Sequence, residues 1–269
     1  MRKNIFVVMF LFIVFCPVMA EAQLFIEDGK VVLSASGGEH INKSVTVVNT
    51  SKEQAQVRVY WEDFQYQPPY DGTKKFYPAG VGPASASKFI NYSPQEISIP
   101  PFGKEKIDYT INVPDQFDKG LYGVLFFEQT GTGVKKDVTG VNIVTRAGAL
   151  FFIEPKAAAR ESALDKIEIK DGNVSGSFVN KSSITLIPRM VYYFMEDEGM
   201  VKDRGELKNL YVPSGETASW SFPMPTDLTG GHYTLVINAD LGDENVLTKE
   251  IALTKAGSNQ WSLNIGDTP

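Results

Sequence analysis

The sequence is poor in the residues that metal and thiol chemistry require. Its 269 residues include one cysteine, Cys16, and two histidines, His40 and His232. A zinc site or a cysteine–histidine nucleophile needs more such side chains than these. Both histidines also stand beside glycine pairs typical of turns, and acidic pairs such as Glu62-Asp63 lack the spacing of a calcium loop. We therefore expect a protein that is not an enzyme and holds no metal or other cofactor.

Clusters of basic residues and long apolar runs are scarce as well. Lys and Arg number 26 against 32 Asp and Glu, and the formal net charge is −6. No Lys/Arg block occurs outside the first three residues, which argues against a nucleic acid as partner. The apolar run before residue 20 is shorter than the about 20 residues that cross a bilayer. We expect no membrane insertion of the mature chain.

The first 22 residues have the three parts of a secretory signal. These are a basic start, an apolar run and a small-residue cleavage site, at Arg2-Lys3, residues 5–15 and Ala20-Glu21-Ala22. We expect cleavage after Ala22, loss of Cys16 with the signal, and a mature protein in the periplasm or cell envelope. A cysteine-free exported chain must rely on hydrophobic cores, which requires domains of ordinary size.

After residue 23 the hydrophobic pattern mostly alternates with a period of two. Val57, Val59 and Trp61 share one face of a predicted strand, and Ile107 and Ile111 share a face of another. This alternation is typical of antiparallel sheets with one buried face. The predicted strands span 24–33, 44–49, 55–63, 88–99, 104–113, 121–128 and 138–153, then 165–170, 173–179, 184–195, 199–211, 216–222, 232–239 and 245–254.

The two halves of the chain repeat the same landmarks. Asn49 and Asn180 each end an apolar strand and are each followed two residues later by a serine. A Gly-x-Tyr motif enters a late strand in both halves, ending at Tyr122 and Tyr233. Such tyrosines suit the corner in which a phenol bonds to upstream backbone in immunoglobulin-like sandwiches, and Trp61 suits their buried tryptophan.

The fold prediction is all-β, with two immunoglobulin-like β-sandwich domains in tandem after a cleaved signal peptide. About seven strands in each half match the number that such a sandwich needs. The predicted limits are 1–22 for the signal, 23–155 for the first domain, 156–164 for a linker, 165–254 for the second domain and 255–269 for a C-terminal tail.

Residues 65–87 form a breaker-rich segment that is longer than most connections. Its aromatic residues are Tyr66, Tyr70, Phe76 and Tyr77. Exposed, they would suit a ligand loop for a carbohydrate or protein. Folded inward, they would cover a sheet edge. The first possibility gives an alternative function, a structural or adhesive module of the envelope.

Three segments of the first half resemble the periplasmic pilus (fimbrial) chaperone family. They read SPQEISIPPFG at residues 93–103, LYGVLFFE at 121–128 and LFFIEP at 150–155. The resemblance covers most of the first domain, and the second shares the architecture. It implies a chaperone-like protein that binds an exported subunit, pilin-like or a surface protein, by adding a strand to that subunit's incomplete sandwich. An outer-membrane usher is a further implied partner.

The resemblance also implies site residues. Aligned on the family's strand end, the donor residues are Val141, Ile143 and Thr145, although Val141 and Ile143 could instead fill their own core. Family members hold the subunit's C-terminal carboxylate with two basic residues, one on the first strand and one on the last. Here the last-strand position is Leu150, and the nearest substitute is Arg146 as a possible carboxylate anchor.

Overall fold

The computed structural model describes residues 24–130, 145–196, 198–242, 244–257 and 260–264. Within these residues the chain forms 18 strands and no helix, so no helix that could cross a membrane occurs among them. The strands build four sheets, two in each half of the chain. The predicted all-β fold of two sandwiches is confirmed. The predicted signal, residues 1–22, and the donor residues Val141 and Ile143 lie outside the described residues.

The first domain contains ten strands in two facing sheets. They are β1 (Leu24–Ile26), β2 (Lys30–Ala35), β3 (His40–Asn49), β4 (Ala55–Tyr66), β5 (Lys74–Pro78), β6 (Ile90–Ser93), β7 (Glu96–Ile99), β8 (Lys104–Asn112), β9 (Leu121–Gln129) and β10 (Arg146–Pro155). One sheet has the order β1-β3-β8-β6, and the other has the order β2-β10-β9-β4-β5, with β7 also paired to β4.

The predicted first strand, residues 24–33, is divided between the two sheets. β1 pairs antiparallel with β3, whereas β2 pairs parallel with β10. Residues 27–29, Glu-Asp-Gly, connect the two pieces, and the Glu27 N–H still bonds to the Thr46 carbonyl at 3.1 Å. One stretch of chain therefore joins both sheets at the side of the sandwich where β10 lies.

The core of the first domain follows the predicted alternation. Val57, Val59 and Trp61 are buried, and the Trp61 ring centroid lies 5.2 Å from that of Phe151. Gly123 lies directly against the Trp61 indole, and a Cβ there would overlap the ring. Trp61 thus occupies the buried position expected of it, in a space that the absence of a side chain at residue 123 leaves open.

The second domain contains eight strands. They are β11 (Ser162–Lys170), β12 (Asn173–Asn180), β13 (Arg189–Glu196), β14 (Val201–Glu206), β15 (Thr217–Pro223), β16 (Gly231–Asp240), β17 (Val246–Ala256) and β18 (Gln260–Asn264). The sheets have the orders β11-β12-β15 and β14-β13-β16-β17-β18. Two limits differ from the prediction: β11 begins inside the predicted linker, and β18 lies in the predicted tail. The Trp261 ring of β18 packs 5.5 Å from that of Tyr233, which gives this short strand an apolar contact.

The repeated asparagines form the same hydrogen-bonded clamp in both domains. Asn49 and Asn180 are buried, and each side-chain oxygen accepts the backbone N–H of the serine two residues on, at 2.9 Å in both cases. Each side-chain Nδ2 donates to three carbonyls, those of Glu53, Ile99 and Pro100 in the first domain and those of Ile184, Val212 and Pro213 in the second. The duplication read from the sequence is therefore also a duplication of contacts.

The two Gly-x-Tyr tyrosines have different partners. The Tyr233 hydroxyl donates to the Thr229 carbonyl at 2.9 Å, which is the corner expected from the sequence. The Tyr122 hydroxyl instead accepts the backbone N–H of Thr185 in the second domain at 2.7 Å. Because the neighbouring Gly120 N–H also donates to the Ser183 carbonyl at 3.1 Å, the start of β9 is bonded to the second domain.

Candidate functional site

The last strand of the first domain has one edge that is only partly covered. β9 pairs with β10 along residues 146–153, but β2 pairs with it only along residues 150–155. Among the described residues, no strand pairs with residues 146–149 on the β2 side. We call residues 146–149 on that side the open edge. It leads directly to the predicted donor residues.

Backbone hydrogen bonds show which groups face the open edge. The Thr145 carbonyl accepts the Gln129 N–H at 3.0 Å, so residue 145 bonds toward β9. The Leu150 N–H donates to the Gly29 carbonyl at 3.0 Å, on the opposite side. Since these directions alternate along a strand, the N–H and C=O groups of Arg146 and Gly148 point toward the open edge. These are the groups that an added strand would bond to.

Arg146 is held against the outer face of its own sheet. Its guanidinium carbon lies 3.8 Å from the centroid of the Phe126 ring, and Nη1 lies 3.4 Å from Glu62 Oε1. Nη1 also donates to the Tyr60 hydroxyl at 3.2 Å, and that hydroxyl donates to Glu128 at 2.9 Å. Burial raises the pKa of Tyr60, so its hydroxyl stays protonated and serves as a donor. The charge of Arg146 is therefore paired inside the molecule.

Gly148 leaves the centre of the open edge without a side chain. A Cβ there would lie 2.8 Å from the Val124 side chain and 2.9 Å from the ring of Phe126. The absence of a side chain lets these two residues of β9 lie across β10.

Two other edge strands of the molecule, β5 and β14, carry charges that discourage pairing. β5, at the far end of the same sheet, presents Lys74, Lys75 and Pro78. β14, an edge of the second domain, has the sequence Val-Lys-Asp-Arg-Gly-Glu. Lysine, proline and mixed charge are the usual protections of exposed strands. The open edge has Ala147, Gly148 and Ala149 after Arg146, so it lacks this protection.

The tyrosine-rich segment is not an unstructured loop. β5 forms a hairpin with β4 inside it, and the carboxylate of Asp63 holds the part that follows. Asp63 is fully buried and accepts the N–H groups of Gly80 and Gly82 at 2.8 and 3.0 Å and the Ser85 hydroxyl at 2.7 Å. No sequence pattern indicates this role, because Asp63 stands out in the sequence only as one half of the acidic pair Glu62-Asp63.

Two of the four proposed ligand-loop aromatics are buried in contacts with the second domain. Tyr66 is 4 % exposed, and its ring centroid lies 4.8 Å from that of Tyr211. Tyr70 is 7 % exposed and donates from its hydroxyl to Glu216 at 2.8 Å. They are therefore not available to a ligand as the exposed-loop interpretation requires. Phe76 is exposed and Tyr77 is half-buried, so these two remain accessible.

Lys30 is a site residue that the sequence analysis did not select. It begins β2 and is the pairing partner of Leu150, the position where the resemblance expects a basic residue on the last strand. Its Nζ lies 4.9 Å from the centroid of the Phe152 ring. Lys30 is exposed and forms no ion pair with any described carboxylate. The sequence would have placed Lys30 beside β10 only if the first strand had been predicted to divide at residues 27–29.

The predicted site residues are thus only partly brought together. Thr145 and Arg146 adjoin at the start of β10, whereas Val141 and Ile143 lie outside the described residues. No group of three or more His, Cys, Asp or Glu side chains in the described part of the chain is arranged to hold a metal ion.

Comparison with known proteins identifies the fold. No protein-family model and no curated protein matches the sequence. Among solved structures, the chain is similar to the class 5 fimbriae chaperone CfaA, with a TM-score of 0.52, 14 % identity and coverage of 84 % of this chain and 98 % of that one. It is also similar to a chain from a chaperone–tip adhesin complex of CFA/I fimbriae biogenesis, with a TM-score of 0.50, 16 % identity and coverage of 85 % and 98 %. The two sandwiches and their connection therefore have the fold of the fimbrial chaperones.

Proposed function

We propose that this protein is a periplasmic, chaperone-like protein that binds and stabilises exported fibre or surface subunits by donating the edge of β10. The open edge is the observation that carries the proposal, because it offers unpaired backbone directly after the alternating apolar residues Val141 and Ile143 in the sequence. The similarity of fold to a chaperone found with a tip adhesin supports a subunit as the partner. The role is binding, and it requires no cofactor.

The backbone of the open edge explains how a subunit would be held. A sandwich that lacks a strand exposes backbone donors and acceptors of its own, and strand addition pairs the two sets. Each backbone hydrogen bond contributes a net of about 0.5–1.5 kcal/mol. Arg146 and Gly148 supply two residues of such a ladder, so the binding free energy must come largely from the segment before them and from its side chains.

Side-chain alternation indicates which residues of that segment would enter the subunit. In β10, Ala149 and Phe151 face the core of their own sandwich. A strand extended without a bulge would keep Val141, Ile143 and Thr145 on that same face, because side chains alternate with a period of two. We expect Val141 and Ile143 to fill pockets of the subunit and Thr145 to lie at the boundary between the two proteins.

Lys30 is a better candidate than Arg146 for a carboxylate anchor. A subunit strand that occupied the open edge in the direction of β2 would end where β2 begins, because the two strands cannot overlap. Lys30 stands at that point and is exposed, whereas Arg146 is paired with Glu62. The final carboxylate of the subunit would therefore meet the Lys30 ammonium.

A proline substitution tests the open edge directly. Arg146→Pro removes the N–H that faces the open edge and removes no N–H that bonds to β9. We expect the fold to tolerate it, because proline is accepted in edge strands where the N–H points to solvent. Arg146→Ala is the matched control, because it loses the same side chain and keeps the N–H. We expect capture of co-exported subunits from envelope extract, with the bound chain identified, to fall in Arg146→Pro relative to Arg146→Ala. Equal capture by the two folded variants would contradict backbone donation.

A second pair of variants tests the side chains of the donor segment. Val141→Lys combined with Ile143→Lys places two charges where apolar residues are expected to be buried. Asn142→Lys combined with Val144→Lys places the same charges on the opposite face. We expect the first pair to abolish subunit capture and the second to reduce it less. If the first pair folds and captures every partner as the unmodified protein does, donation by these residues is wrong.

An outer-membrane usher would be the receiver of the captured subunit. This part of the proposal is tested separately, by asking whether detergent-solubilised outer-membrane protein is retained on the chaperone–subunit complex but not on the chaperone alone. Retention by neither form would remove the usher from the proposal without affecting subunit binding.

A further inference from the structure

A small cavity lies between the two domains, away from the open edge. Its volume is about 150 Å³, and its first-domain walls include Phe64, Tyr66 and Tyr122. Ser183 and Thr185 are among the residues that line it from the second domain. An apolar cavity of about this volume accommodates a single benzene ring. The size and the aromatic walls therefore suit one planar ring.

The charged residue that lines the cavity indicates which chemical class of ligand it would bind. Lys119 is the only charged residue among the described residues that line it. This lysine is exposed, and no described carboxylate lies within ion-pair distance of its Nζ. The remaining polar lining consists of neutral groups such as Gln65 and Ser183. An exposed cation that lines an aromatic cavity complements an anion attached to a ring.

We propose that this cavity binds a small aromatic carboxylate, with its ring among Phe64, Tyr66 and Tyr122 and its carboxylate at Lys119. The inference is independent of the proposed subunit binding, since it uses neither β10 nor the donor segment. Because the walls come from both domains, the ligand binds the arrangement in which Tyr122 accepts the Thr185 N–H. A ligand that binds this arrangement and not the unfolded chain stabilises it by RT ln(1 + L/Kd), where L is the free ligand concentration.

The test is a titration of the full mature chain with 3-phenylpropionate, followed by the backbone amide signals of Gly120 and Thr185. Both residues line the cavity and donate backbone hydrogen bonds between the domains. We expect their signals to shift and saturate. The neutral isostere 3-phenylpropionamide should bind about two- to fivefold more weakly, because a partly exposed ion pair contributes at most about 1 kcal/mol.

Two variants and one control separate the charge from the cavity. Lys119→Gln should weaken binding of the acid by the same factor and leave binding of the amide unchanged. Lys43→Gln, which removes an exposed charge on β3 outside the cavity, should change neither. Ser183→Leu enlarges a residue that lines the cavity and should abolish binding of both compounds.

Three results would overturn the inference. They are the absence of a saturable shift in the unmodified protein, equal affinity for the acid and the amide, and unchanged acid binding by Lys119→Gln. Should Ser183→Leu fail to fold, the comparison of the two compounds and the two lysine variants still decides the question.

Discussion

The hydroxyl of Tyr122 provides a test of how the two domains are joined. Tyr122→Phe removes the oxygen that accepts the Thr185 N–H at 2.7 Å, in a buried position. The loss leaves a buried donor without its partner, which costs about 1–3 kcal/mol. The duplication supplies a matched control, because Tyr233→Phe removes the same atom from a bond that stays inside the second domain.

The expected magnitudes of the two variants differ. In Tyr233→Phe a carbonyl loses one of its possible donors, and such a loss costs about 0.5–1.5 kcal/mol. We therefore expect Tyr122→Phe to lower the free energy of unfolding more than Tyr233→Phe, by about 1 kcal/mol. The effect should also be local, because Thr185 lies where the domains meet.

Hydrogen exchange of the Thr185 amide measures that local effect. Each 1.4 kcal/mol lost from its protection accelerates exchange by about tenfold. We expect faster exchange in Tyr122→Phe and no change at this amide in Tyr233→Phe, with urea unfolding as the measure of global stability. An unchanged Thr185 exchange rate in Tyr122→Phe would refute the assignment of this bond as a connection between the domains.

Three further predictions concern pH, packing and the asparagine clamp. Burial raises the pKa of Tyr122 to about 12, whereas a tyrosine of the unfolded chain loses its proton near pH 10. The free energy of unfolding should therefore fall as the pH rises between about 10 and 12. In Tyr122→Phe the urea midpoint of unfolding should fall less steeply over this range. In Gly123→Ala the added Cβ overlaps the Trp61 indole, which should lower the free energy of unfolding by about 1–3 kcal/mol or prevent folding. In the control Gly29→Ala the added Cβ meets nothing within 4 Å, so the melting temperature should stay unchanged. Asn49→Asp turns a donor to three carbonyls into an acceptor facing them, so it should lower the melting temperature sharply, and a melting temperature like that of the unmodified chain would contradict the clamp.

The sequence predicted best the strands whose apolar residues form a clear pattern. β8 and most of β4 are found near their predicted limits because their buried residues alternate, and β9 is found there because it is a nearly continuous apolar run that is buried on both faces. β5 was missed because it is an edge strand with one bonded side and a largely exposed surface, so it has no apolar alternation to detect. The predicted strand 88–99 is two strands, β6 and β7, which belong to different sheets and are separated at Pro94.

The candidate site was less predictable, because it depends on which strand pairs with which. Residues 27–30, Glu-Asp-Gly-Lys, interrupt the apolar pattern of the predicted first strand, and Asp-Gly is typical of a turn. The interruption does not reveal, however, that the chain then pairs with a strand of the other sheet. Lys30 therefore could not be placed beside Leu150 from the sequence. In the same way, nothing near Tyr122 distinguishes it from Tyr233, since its partner Thr185 is 63 positions away along the chain. Both cases turn on contacts between distant residues rather than on local pattern.

The break in the first strand sets how much of β10 stays uncovered. Had β2 begun two residues earlier, it would have occupied about 7 Å more of the neighbouring strand. Lengthening or shortening the Glu-Asp-Gly connection would accordingly change the length of the open edge without any change in the sequence of β10. The N-terminal segment would thus set the length of the proposed binding edge, in addition to supplying the Lys30 side chain at its end.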